Sequence, residues 1–279
     1  MQKIIVTADD YGMVDDVDKA IDEGIANGFI TTTNVMLNME SLKNAETLRS
    51  RFPNLSIGIH WNVTTGKPLL SNKEVPSLVD EFGFFWSVRE FKKRIKKNLI
   101  NYVELEKELE AQYCLFEKTC GHPDYWNTHE NSALDIKAFK VFKKIAKKHN
   151  INATRTFQRV YYDKIGLSCK KLLREFMVKN FFNVWFTIIR KDFYMPKARV
   201  VSFDKISKTE NDILMNALKK DGRNNIEIVF HPAITSNNPF FGNISVERVK
   251  EYKFVSSKEV YEKYINNGFE FVNFDELKK

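Results

Sequence analysis

Residues 3–7 form a short β-branched run that ends in Ala8-Asp9-Asp10-Tyr11-Gly12. This pattern predicts a buried strand with carboxylates and then a turn at its C-terminal end. The period then changes. Val17, Ala20, Ile21 and Ile25 recur at helical spacing across residues 15–27. Residues 31–37 are a second β-rich run, 41–51 a helix stopped by Pro53, and 56–63 a third strand ending in polar residues. The first 65 residues thus read β-α-β-α-β with short connections. That order predicts an α/β fold with a parallel sheet and helical crossovers. Further on, residues 91–119 are long, charged and periodic, and predict one helix. Residues 125–128 predict a fourth strand. Residues 136–149 predict a helix with Phe139, Phe142, Ile145 and Ala146 on one face. Strands at 152–156 and 226–230, a helix at 258–267 and a last strand at 269–274 follow. No repeat, low-complexity tract or Pro/Gly linker divides the chain, so residues 1–279 are expected to form a single domain.

The stretch 170–191 breaks this rhythm, being aromatic and basic together. Apolar residues fill nearly every helical face from Phe181 to Ile189, which fits a buried core or homodimer-interface helix better than one floating on a membrane. Composition narrows the class. Hydrophobic residues make up 43% of the chain, which excludes a disordered protein. Cys114, Cys120 and Cys169 are too few for a disulfide scaffold and form no C-x-x-C pair of a zinc ribbon. The net charge of +8 comes from basic residues interleaved with acidic ones, and no nucleic-acid motif accompanies it. No run reaches the ~18 apolar residues of a membrane span. The start of the chain lacks a signal-peptide pattern, so a cytoplasmic location is expected.

Four polar clusters fall at the ends of predicted strands: Asp9-Asp10, His60, His129-Glu130 and His231. Catalytic groups of parallel α/β sheets and barrels gather at the carboxyl ends of strands, so these four can converge on one mouth. A carboxylate with two imidazoles suits a divalent metal that keeps open positions for water and substrate. Of two adjacent aspartates, one can hold the metal while the other accepts a proton from the attacking water. A further histidine can protonate a leaving amine. Each cluster alone also has a plain structural account. Asp-Asp-Tyr-Gly makes a good turn, and His60 beside Trp61 reads as a core histidine. His129-Glu130 lacks the second histidine of an H-E-x-x-H zinc helix, and Pro68 after Gly66-Lys67 excludes a phosphate loop.

At these residues the chain resembles the YdjC-like carbohydrate deacetylases, which include the chitooligosaccharide deacetylases. Ala8-Asp9-Asp10-Tyr11-Gly12 matches that family's A-D-D-[FY]-G opening. Gly58-Ile59-His60-Trp61-Asn62-Val63-Thr64-Thr65-Gly66-Lys67-Pro68-Leu69 resembles its G-L-H-x-N-x-T-x-G-x-P-L block. Asn127-Thr128-His129-Glu130-Asn131 stands where the family has D-S-H-Q-H, and His231-Pro232-Ala233 where it has H-P-G. The resemblance implies a distorted (β/α) TIM-like barrel and metal-dependent removal of acetyl from an N-acetylated sugar. It implies one divalent ion, zinc or magnesium, on Asp10, His60 and His129. It makes Asp9 the general base and His231 the general acid or the stabiliser of the tetrahedral intermediate. Tyr11, Trp61 and Trp126 are expected to stack on sugar, and Asn62 and Glu130 to complete the substrate contacts. Asn127 and Asn131 depart from the family's Asp and second His. Two other readings stand beside this one. A metal-free glycoside hydrolase would need carboxyl groups about 5 to 9 Å apart on opposite sides of the bond. A sugar-binding protein on the same scaffold would have lost catalysis.

Overall fold

The computed structural model describes residues 1–156, 158, 160, 189, 191–201 and 208–278. The stretch 170–191 lies outside the described residues except for Ile189, which is buried, and Lys191. Among the described residues, seven strands form one parallel sheet: β1 (Gln2–Tyr11), β2 (Thr32–Val35), β3 (Ser56–Trp61), β4 (Trp126–Thr128), β5 (Ala198–Val201), β6 (Ile226–Phe230) and β7 (Phe269–Val272). Their order is β4-β3-β2-β1-β6-β5, and β7 pairs with the first half of β1. Helices α1 (Asp15–Ala26), α2 (Leu48–Arg51), α3 (Val88–Lys96), α4 (Tyr102–Cys120), α5 (Ile136–Lys148), α6 (Lys208–Asp221), α7 (Ser245–Val255) and α8 (Lys258–Asn266) flank it. Short bridges from Ala153 and Thr154 to Tyr194 and Trp126 continue the pairing beyond β4. The result is the expected α/β architecture, a curved parallel half-barrel with helices outside.

The apolar run of β1 is buried on both faces, as a central strand of a parallel sheet requires. Strand parity then sorts the side chains. Ile57, Ile59 and Trp61 of β3 join the large core under the helices. Ser56, Gly58 and His60 therefore face the barrel interior. The floor of that interior is a small apolar plug of Ile5, Tyr125, Ala153 and Phe274, with the Tyr125 and Phe274 rings stacked at 3.9 Å. Gly58 is required here, because a Cβ on it would lie 2.6 Å from the Tyr125 ring.

The single helix expected over 91–119 is two. Asn98 takes a left-handed φ of 55° after α3, and the Asn101 side chain caps α4 by accepting the Val103 amide at 3.0 Å. Charged periodicity continues through the break, so the pattern alone conceals it. The segment 41–51 is a 3-10 turn followed by the short α2, and 152–156 contributes only isolated bridges. Basic α5 is matched to acidic α4: Lys144 pairs with Glu106 at 2.6 Å and Lys148 with Glu110 at 2.7 Å.

Candidate metal and acid–base site

Side chains alternate along a strand, so Asp9 and Asp10 would ordinarily point to opposite faces. The backbone solves this at Asp10. Its φ of 75° is left-handed, and the β1–β2 register shifts between Ala8 and Tyr11. Aspartate tolerates this conformation better than most residues. Both carboxylates consequently reach the same mouth. Gly12 completes the turn at φ 87°, where a Cβ would meet the Met36 carbonyl oxygen at 2.8 Å.

Asp10, His60 and His129 converge, all three buried, with one ligand atom from each inside a 4.8 Å span. Asp10 Oδ1 lies 3.2 Å from His60 Nε2 and 3.0 Å from His129 Nδ1, and the two ring nitrogens are 3.4 Å apart. Metal–ligand bonds of about 2.0–2.1 Å place neighbouring donors roughly 3.3 Å apart in a tetrahedron and about 3.0 Å in an octahedron. The donor set and its spacing therefore fit a divalent cation. The other Asp10 oxygen accepts from Arg248 Nη2 at 2.5 Å, which leaves Oδ1 turned toward the imidazoles. Burial raises the Asp10 carboxyl, but the His129 and Arg248 charges outweigh it and hold it well below the usual range. Burial likewise lowers the His129 imidazole, yet Asp10 outweighs it and raises it.

Asp9 has other company. Arg155 grips it with two hydrogen bonds, Nη1 to Oδ2 at 2.6 Å and Nη2 to Oδ1 at 2.7 Å. Asn34 Nδ2 donates to Oδ1 at 2.6 Å. Arg155 is also bonded to Glu227, which accepts from Nε at 3.0 Å. Burial pushes the Asp9 carboxyl up, but the Arg155 charge and hydrogen bonds prevail and hold it far below the carboxylate range. His231 Nε2 approaches Asp9 Oδ2 at 3.5 Å. Burial lowers this imidazole to about 4, against the opposing pull of Asp9 and Asp10. Its backbone amide donates to Glu251, a buried carboxyl on α7 that burial raises to about 8.

The structure thus brings together Asp9, Asp10, His60, His129 and His231. Glu130 stays exposed next to His129, at φ 51°. The other residues expected to contact sugar are engaged within the protein. Tyr11 is fully buried, and its hydroxyl accepts from Arg51 Nη2 at 2.9 Å and donates to Asp22 at 3.2 Å. Trp61 faces away from His60 because strand neighbours alternate. It donates to the Leu109 carbonyl at 3.3 Å and packs on Trp126 and Phe142. Trp126 packs among Phe139, Phe142 and Phe193. Both tryptophans are buried and pack on core rings. Asn62 is committed to its own loop: its amide donates to Asn38 and Thr65 at 3.0 and 2.7 Å and accepts the Thr64 and Thr65 amides. Arg155, Arg248 and Glu251 carry no motif and escape a reading of the sequence.

A family model described as YdjC-like protein matches residues 3–265. The chain belongs to the YdjC-like family. Among relatives of this YdjC-like protein, a carbohydrate deacetylase of Clostridium beijerinckii is 28% identical over 280 residues, 99% of this chain and 100% of that one. A carbohydrate deacetylase of Enterococcus faecalis is 27% identical over 289 residues, 99% of this chain and 98% of that one. A crystal structure described as a putative cellobiose-phosphate cleavage protein of Enterococcus faecalis superposes on this YdjC-like chain with a TM-score of 0.76 at 25% identity. That superposition covers 99% of this chain and 98% of the other.

Proposed function

We propose that this chain is a carbohydrate deacetylase that hydrolyses the acetamido group of an N-acetylated sugar or chitooligosaccharide and releases acetate. The observation that carries this reading is the Asp10–His60–His129 donor set lying beside the Asp9–His231 pair at the mouth of the sheet. The relatives named carbohydrate deacetylase support the substrate class. A divalent cation, zinc or magnesium, held by Asp10, His60 and His129 would polarise the acetyl carbonyl and acidify the attacking water.

The protein residues divide the remaining work. Arg248 positions Asp10 so that one carboxylate oxygen faces the two imidazoles. Asp9, anchored by Arg155 and Asn34, accepts the proton of the attacking water. A carboxylate held so far below its usual range keeps that proton only briefly. His231, across the 3.5 Å gap from Asp9, takes that proton and delivers it to the departing amine nitrogen. Glu130, exposed beside His129, contacts the sugar. The glycoside hydrolase reading loses ground, because Asp9 and Asp10 sit side by side on one strand end with an arginine bonded to each.

The test is acetate release from N,N′-diacetylchitobiose by chelator-treated protein, before and after zinc, magnesium or cobalt is returned. Release that appears only with metal is expected. Release undiminished by thorough metal removal would overturn the metal-dependent reading. No release with any metal, from folded protein, would count against this substrate.

A further inference from the structure

Asn127 stands between the two halves of the site, and its amide has a different neighbour on each side. One terminal atom lies 2.5 Å from His60 Nδ1. The other lies 3.1 Å and 3.2 Å from Arg155 Nη1 and Nη2 and 3.0 Å from Asn34 Nδ2. All of the second set are donors. The Arg155 guanidinium makes the choice. Its Nε–H and one Nη2–H go to Glu227, and the other Nη2–H and one Nη1–H go to Asp9. The Asn127 atom lies almost equally near Nη1 and Nη2, against a guanidinium whose side chain is only 6% exposed. An amide NH2 held in a buried place against a guanidinium and a second amide NH2 would meet donors only, one of them a cation, which is costly. The amide oxygen must therefore turn toward Arg155, and the amide NH2 toward His60 Nδ1.

An NH2 can only donate, so His60 Nδ1 must accept. In the neutral imidazole the proton then resides on Nε2, the atom facing Asp10 Oδ1. We propose that Asn127 is a positioning residue that locks His60 in its Nε2–H tautomer in the metal-free protein, and so weakens the site's hold on a divalent cation. This rests on the metal reading given under the proposed function. A cation on His60 Nε2 needs the proton on Nδ1, and Asn127 can accept that proton only by turning its NH2 onto the donors of Arg155 and Asn34. A carboxylate at this position would accept from both sides at once. The asparagine thus makes metal uptake depend on a side-chain flip, which a carboxylate would not need.

The experiment is 15N NMR of histidine-labelled, metal-free protein at about pH 8, with the His60 signals assigned by their loss in His60→Gln. It is paired with zinc affinity measured by competition with a chromophoric chelator. The proposal expects an acceptor-type Nδ1 and a protonated Nε2 in the natural chain. In Asn127→Asp it expects the proton on Nδ1 and zinc bound about 10- to 100-fold more tightly, the range typical of an outer partner to a ligand histidine. A protonated Nδ1 in the natural chain would overturn the proposal whatever any variant does. The same tautomer or the same zinc affinity in folded Asn127→Asp would overturn it too. The expected tautomers with no zinc bound to either protein would overturn the metal reading itself, together with the affinity half of the proposal.

Discussion

Asp9 and Asp10 are chain neighbours of one residue type, both buried, in opposite surroundings. Asp9 has donors on both oxygens, from Arg155 and Asn34, and the His231 ring lies 3.5 Å away. Asp10 spends one oxygen on Arg248 and turns the other toward two imidazoles. Burial pushes both carboxyls up, and in each case a buried cation reverses it. What differs is which oxygen is left free to act. A saturated carboxylate can exchange a proton with a base beside it, whereas a half-saturated one can serve as a ligand. The left-handed backbone at Asp10 is what allows two adjacent residues to take these separate parts at one mouth.

The largest effect is expected from Asp10→Ala. Bound metal should fall by more than the roughly 10- to 100-fold that the loss of an outer partner costs, as read by metal analysis after dialysis, and acetate release should fall to background. Full metal occupancy in this variant would erase the contrast between the two aspartates.

Arg155→Met acts on the other side. It strands Asp9 and Glu227 as buried carboxylates, so stability should drop by about 3–5 kcal/mol in chemical denaturation. A change below about 1 kcal/mol would mean that solvent already reaches this pair.

A third buried carboxyl sharpens the rule. Glu251 accepts the His231 amide but has no arginine bonded to it among the described residues, and burial holds its folded pKa at about 8. A folded pKa raised above the unfolded value of about 4.3 means stability is fully present below that value and is lost as pH rises through about 8. The natural chain should therefore lose up to about 1.4 kcal/mol more per pH unit across this window than Glu251→Gln does. Parallel stability–pH curves for the two proteins would show that Glu251 is ionised when folded.

The smallest effect on function is expected outside the mouth. Trp61→Phe should cost roughly 1–3 kcal/mol of stability through lost core packing and leave KM unchanged. A raised KM in a protein of unaltered stability would return Trp61 to the sugar.

The strand ends were legible from the sequence because buried parallel strands are apolar runs with abrupt polar terminators, and residues 3–10, 56–62 and 226–231 all have that form. The same chemistry hid the arginines. Arg155 finds Asp9 across 146 positions and Arg248 finds Asp10 across 238, with no local pattern marking either. The tryptophans were recoverable in principle. If His60 faces the interior, Trp61 must face the helices, and strand parity contradicts a stacking role from proximity in sequence alone. Asn98 and Asn101, which break the long helix, lie inside a charged periodic stretch that resumes after them, so two asparagines three positions apart were only a weak signal of the break.

The division of labour between the adjacent aspartates is tested most directly by measuring bound metal and acetate release together in Asp9→Asn. The account predicts metal retained at the level of the natural chain and acetate release reduced by about 10²- to 10⁴-fold, the usual contribution of a positioned proton acceptor. Loss of metal in this variant, or acetate release near the natural rate, would contradict it.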